Sequence, residues 1–373
     1  MKIKGLQSIA LFIFLVSFVL LLVSYNIGYG TDSTSPTGKK ETISIIDMAG
    51  RVVVVPSKVS RIIGAGPGSL RLLCYMGLQK KIVGIEQSEK NWGPSGRPYV
   101  LANPGLLALP SIGAGGPASI NSGPDPELVL SLNPDVIFIT YMNGKKADEY
   151  QKKVGIPVVL LSYGKLATFD RDVYESLKII GRIVESEARA QKVIDYIKNA
   201  ERDLKARTGD VPEDKRPTVY VGGIGYKGIH GIESTSANYP PFDAVNAKNV
   251  ADSTGKSGHL FVDKEQILKW DPDYIFIDEG GYRLVERDLS DPLFRSLKAV
   301  REKRVFGILP YNFYTTNIGT AIADAYFIGK VIYPEKFRDV DAAKKADEIY
   351  EFLVGKPVYK EMKRDFGGFK RLD

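Results

Sequence analysis

The chain has 373 residues, 44% of them hydrophobic, which excludes global disorder and suits two α/β lobes of ordinary domain size. The formal net charge of +7 drops to +5 without Lys2 and Lys4 of the first thirty residues. No dense basic stripe interleaved with aromatics occurs, which argues against a nucleic-acid partner. A single cysteine, Cys74, excludes an internal disulfide and zinc sites built from two or four cysteines.

Lys2 and Lys4 precede an apolar run over residues 9–23, followed by the small-x-small exit Gly28-Tyr29-Gly30. This predicts a secretory signal in 1–30, or an uncleaved anchor, because the run is short of the roughly 20 residues of a membrane span. The expected location is therefore outside the cytoplasm, periplasmic or on the outer face of the cell membrane. No cysteine follows the run closely, so a lipid-modified cysteine is not expected. Residues 31–40 are rich in Ser, Thr, Pro and Gly and read as a flexible linker.

Next come two predicted strands, 43–46 and 52–56, around a turn at Asp47 to Gly50. A strand from 61, a tight loop over 64–69, a helix over 70–76 and a strand over 81–86 make a βαβ unit and predict a parallel sheet. Cys74 falls on that helix as a core thiol. Strands are expected at 135–140 and 156–163, with a helix over 146–154 between them. A helical zone covers 170–207. Its second half, Glu187–Thr208, places Ala190, Val193, Ile194, Ile197 and Leu204 on one face. At 1.5 Å per residue it is a rod of about 33 Å, long enough to cross between lobes. A second α/β set follows, with strands at 218–221, 274–278 and 304–309 and helices at 317–332 and 341–353. The expected division is an N-terminal lobe over 41–168, a helical segment with the interlobe helix over 169–209, and a C-terminal lobe over 210–373.

The stretch from Glu127 to Thr140 repeats in the stretch from Glu265 to Asp278: the Glu, the Leu three residues on, the Pro-Asp pair and the Ile-Phe-Ile of the strand are identical. Each copy reads as a short helix, a Pro-Asp corner and a buried strand. Proline stops the helix by restricting the residue before it and lacking a donor. One copy lies on each side of the long helix, which suggests two similar lobes.

Asp47-x-x-Gly50-Arg51…Pro56, the Arg61-Ile-Ile strand and the twin Glu…Pro-Asp-x-Ile-Phe-Ile units resemble the class III periplasmic substrate-binding proteins of ABC importers for iron-siderophores, cobalamin, haem and related metal compounds. The resemblance runs from about residue 41 to 353. It implies an α/β fold of two Rossmann-like lobes bridged by one long α-helix, with the ligand held in the cleft between them. It also implies an ABC permease, with its cytoplasmic ATPase, as partner. Glu127 and Glu265, one per lobe, match the glutamates that dock on permease arginines. Read from the residues alone, each equally suits a helix start, where it favours the helix dipole.

Ligands of open α/β sheets bind at the carboxyl ends of strands. The candidates are therefore Gly66, Pro67 and Gly68, Tyr141, Tyr163, Tyr226, His230, Tyr239, Tyr282, Arg283, Tyr311 and Tyr314. Glycines there allow close backbone approach, tyrosines offer a flat face and a hydroxyl, and Arg283 can pair with an anionic group. His230 and His259 are both expected in polar loops, His230 being the better contact. These residues favour a ferric chelate, with cobalamin, haem or another metal complex, or a membrane-anchored ligand sensor, as alternatives. No G-x-S-x-G, HExxH or P-loop occurs, so an enzyme is not expected. The protein is expected to be a monomer without a resident cofactor, any metal arriving as cargo; its metal ligands stay unassigned.

Overall fold

The computed structural model describes residues 41–372; the predicted signal or anchor over 1–30 and the linker over 31–40 lie outside the described residues. The first lobe opens with an antiparallel hairpin of β1 (Thr42–Ile46) and β2 (Val52–Pro56). Asp47 Oδ1 closes its turn by accepting from the Ala49 and Arg51 N–H groups. Strands β3 (Ile62–Ala65), β4 (Ile82–Gly84), β5 (Val136–Thr140) and β6 (Val158–Leu161) then form a parallel sheet in the order β4-β3-β5-β6. Every residue of β3, β5 and β6 is buried, as continuous apolar runs covered on both faces require.

The second lobe contains β7 (Thr218–Gly222), β8 (Ser234–Ala237), β9 (Lys248–Asn249), β10 (Gly258–Phe261), β11 (Tyr274–Asp278), β12 (Val305–Ile308) and β13 (Lys370–Arg371). Its main sheet runs β13-β12-β11-β7-β9, with β13 antiparallel on one edge. Strands β8 and β10 pair separately, Ser236 opposite His259. His259 therefore sits in a strand and not in the polar loop expected for it. Its neighbours Leu260 and Phe261 suit a strand, and the cross-strand partner lies more than twenty residues earlier, beyond local pattern.

The helix Glu187–Thr208 joins the lobes over the span predicted for it, with Ala190, Val193, Ile194, Ile197 and Leu204 buried. Near its start, Arg189 donates to Tyr75 O of the first lobe; at its end, Thr208 Oγ1 accepts from Asn246 of the second. One buried cluster runs unbroken from Ile62 and Phe138 through Val193 and Ile197 to Phe276 and Ile322. The helix Ala342–Val354 closes this junction, its last carbonyl accepting from Asn103 Nδ2 of the first lobe. A close-packed shared core of this kind resists free hinge opening and favours small, discrete shifts.

The repeated segments fold alike. Helices Pro126–Leu132 and Lys264–Trp270 are capped by Asp125 and Asp263 and end on left-handed Asn133 and Asp271, at φ 43° and 40°. After each corner an aspartate ties the next strand to its neighbour. Asp135 Oδ2 accepts from Ser60 and Arg61 N–H, and Asp273 Oδ2 from Thr218 N–H.

Candidate functional site

The cleft is built by loops leaving the carboxyl ends of the sheets. The loop after β12 reaches from the second lobe into the first, where Arg71 holds it. Its Nη2 donates to Phe313 O at 2.7 Å, its Nη1 to Thr316 O at 3.0 Å, and its Nε to Asn317 Oδ1 at 2.8 Å. The guanidinium is fully buried and lies over the Tyr99 ring. Such a planar fork spreads its donors over three nitrogens and so spans these separated acceptors at once, which the single nitrogen of a lysine could not do. Beneath it, Glu89 pairs with buried Arg97 and accepts from Tyr99 Oη.

Anchored this way, the loop presents Tyr314 and Thr315 to the first lobe. Tyr314 Oη donates to Glu86 Oε2 at 2.9 Å and accepts from Gly116 N–H at 3.1 Å. Glu86 Oε1 accepts from Gly66 N–H at 3.1 Å. Tyr141 Oη and Thr315 Oγ1 lie 2.8 Å apart. Trp92 packs edge-on against Tyr314, ring centroids 4.8 Å apart. Tyr141, Tyr314 and Thr315 have φ of 57°, 50° and 61°. Left-handed backbone is costly for such residues, above all for β-branched Thr315, and concentrates at sites where surrounding structure over-determines it. Gly68, at φ 80°, marks how closely the lobes meet: a Cβ there would come within 2.6 Å of Thr315 Cγ2 and Tyr163 Oη.

The electrostatics are those of neutral donors around one carboxyl. Burial raises the Tyr141 and Tyr314 phenols above their ordinary values, so both are O–H groups at neutral pH. Burial also raises Glu86, to about 7, against the opposing hydrogen bonds from Tyr314 and Gly66. Among the described residues no group of three or more His, Cys, Asp or Glu has the geometry to hold a metal ion.

The sequence-selected residues fall into several places. Gly66, Pro67, Gly68, Tyr141 and Tyr314 surround this constellation. Tyr163 supports it from the core, its hydroxyl donating to Gly68 O at 2.9 Å. A cavity of about 300 Å³ lies beside it, lined by Met48, Tyr141, Met142, Ser162 and Tyr163 among others. Tyr226 and His230 follow β7 on the second lobe, where the Tyr226 ring stacks on His259 at 4.2 Å and His230 Nε2 lies 2.7 Å from Tyr226 O. Tyr282 turns along its own helix to Glu286, while Arg283 is exposed. Tyr239 is fully buried against Phe242 and Tyr311, so it has no open face on the cleft, and Tyr311 is partly buried beneath the loop. Sequence reasoning missed Glu86, Trp92, Thr315, Gly116 and Arg71. Glu86 alone carried a signal: it follows the end of β4, two residues beyond Gly84.

Glu127 and Glu265 are both exposed, each in the first turn of its short helix.

A sequence profile described as periplasmic binding protein matches residues 62–311, two thirds of the chain. The chain belongs to the periplasmic binding protein family. More finely, it is one of the class III solute-binding proteins, which are not enzymes. Among relatives, the molybdate-binding protein MolA of Haemophilus influenzae is 27% identical over 333 residues, covering 82% of this chain and 89% of that protein. The iron(3+)-hydroxamate-binding protein FhuD of Bacillus subtilis is 25% identical over 225 residues, 54% of this chain and 64% of that one. In three dimensions, MolA bound to molybdate superposes with a TM-score of 0.67 at 22% identity, over 84% of this chain and 98% of MolA. This family member is accordingly a substrate-binding protein of an ABC importer, a component that works outside the cytoplasm with a permease and an ATPase. Among the described residues no helix is long and apolar enough to cross a membrane.

Proposed function

We propose that this protein captures a compact, oxygen-rich metal anion of the molybdate class in the interlobe cleft and delivers it to its permease. The observation that carries the reading is a set of uncharged polar groups gathered from both lobes: Tyr141 Oη and Thr315 Oγ1, whose mutual hydrogen bond leaves one of their two protons free, and Tyr314 Oη and Gly116 N–H, which would exchange their bonds to Glu86 and to each other for bonds to a ligand. Hydroxyl and amide donors that stay uncharged suit the oxygens of an oxyanion, whereas direct ligation of a bare ferric ion calls for phenolate, which burial disfavours in both tyrosines. The similarity to MolA along most of both chains supports the same class. The metal is cargo, and no resident cofactor is part of the reading. Glu127 and Glu265 serve as the permease-docking pair, exposed charge that steers encounter without binding too tightly to release. Retention at the outer face of the membrane by residues 1–30 belongs to the same proposal.

A ferric chelate is the second reading, favoured by the similarity to FhuD over about half of the chain. Trp92, packed on Tyr314, supplies the test. Its fluorescence, isolated in a Trp270→Phe variant, is followed while molybdate, tungstate, sulfate, a ferric hydroxamate, haem and cobalamin are titrated. Saturable change with molybdate or tungstate is expected; saturation by the hydroxamate alone transfers the assignment to the second reading, and no response to any of them overturns both.

A further inference from the structure

We propose that Glu86 is a specificity-determining residue of the cleft, entering the ligand-bound state as a neutral carboxylic acid, so that capture of an oxyanion takes up one proton. The inference rests on the oxyanion reading above.

Glu86 is the acidic group of the constellation. Oε2 meets Tyr314 Oη and Oε1 meets Gly66 N–H, and Gly115 packs so closely that a Cβ there would lie 2.4 Å from Glu86 Cβ. The side chain is buried and held by these two hydrogen bonds beside the Tyr314 hydroxyl. Around it, the helix Gln87–Asn91 contributes Glu89, a second carboxyl already committed to Arg97 and Tyr99. The loop after β12 contributes the Tyr314 phenol, and the loops after β3 and at 115–116 contribute backbone only. Among the described residues no lysine or arginine forms an ion pair with Glu86. An ionised carboxylate there would face a bound dianion across a few ångströms in a poorly solvated cleft, where like charges repel far more strongly than in water. The acid form removes that repulsion and can donate its proton to a ligand oxygen or to a neighbour. Burial, with Glu89 as a minor contributor, already poises the group at about 7, so the proton is available in the range where such a receptor works.

The same device selects among ligands. A dianion binds with proton uptake, while a neutral or cationic chelate gains nothing from the acid form and binds an ionised Glu86 at least as well.

The test is calorimetric titration of the mature chain with molybdate in two buffers of different ionisation enthalpy, at pH 6, 7, 8 and 9. The expected result is a buffer-dependent heat showing uptake that rises toward one proton per ligand above pH 7. The association constant should be nearly flat below about pH 6 and fall by up to about tenfold per pH unit above about pH 7. Glu86→Gln, which keeps a donor and removes the charge, should flatten the profile and bind molybdate more tightly than the parent by up to about tenfold at pH 8 and up to about a hundredfold at pH 9. Binding of molybdate with no proton uptake and no pH slope overturns this inference and leaves the oxyanion reading intact. Absence of molybdate binding at every pH overturns the oxyanion reading itself. Because the proton count is measured on the unaltered protein, the test stands even if the variant misfolds.

Discussion

Tyr314 of the second lobe donates its hydroxyl to Glu86 of the first at 2.9 Å, and the same oxygen accepts from Gly116 N–H. One phenol thus joins the two lobes. Tyr314→Phe removes the donor and leaves Glu86 Oε2 buried without it. The expected cost is about 1–3 kcal/mol of stability, measured by urea unfolding, with a larger loss above pH 7, where Glu86 is ionised and its need for a donor is greatest.

Arg71 sets that geometry from behind. Its guanidinium meets four acceptors of the loop, among them Phe313 O and Thr316 O, and no water can replace it in so buried a site. Arg71→Met is expected to destabilise by about 3–5 kcal/mol, because several buried carbonyls lose their donors together. Arg71→Lys should recover only part of this loss. The measurement is thermal unfolding, paired with near-UV circular dichroism of the Trp92 and Tyr314 environment.

Much of this architecture was legible in the sequence, and the reasons are local. The helix Glu187–Thr208 follows from the spacing of its apolar face. The twin units follow from Pro134 and Pro272, which end each helix, and from Asp135 and Asp273, which tie each corner to the neighbouring strand. The site was legible only in part. Tyr141 and Tyr314 follow from the strand-exit rule, but so does Tyr239, whose ring the fold turns into the core. Arg71 looks like one polar residue on a short apolar helix. That its partners lie more than 240 residues later is a tertiary fact with no local trace.

Three acids lie under the cleft in the second lobe. Burial raises Asp278 and Glu279 to about 8 each and Asp324 well above its ordinary value. All three folded values exceed those of the unfolded chain, so the folded state holds more protons. Their contribution to stability is complete below about pH 4, and the share of Asp278 and Glu279 is lost as pH rises to about 8. Urea midpoints should therefore decline between pH 5 and 8, and Asp278→Asn should reduce that slope. An unchanged slope in the variant would remove Asp278 from this account.

The proposed docking pair makes a separate prediction. Glu127→Gln with Glu265→Gln should leave solute affinity within about twofold, since both side chains are exposed and neither meets the Tyr314 loop. Transport in vesicles carrying the permease and ATPase should fall by about tenfold or more, by loss of charge complementarity at the docking face.

The most direct test of the central claim is where the ligand sits. Crystals grown with tungstate, located by its anomalous scattering, should show one heavy atom between Tyr141 and Tyr314, within hydrogen-bonding reach of Thr315 and Gly116 through its oxygens. A fully occupied site elsewhere on either lobe, with this cleft unchanged, would contradict the account.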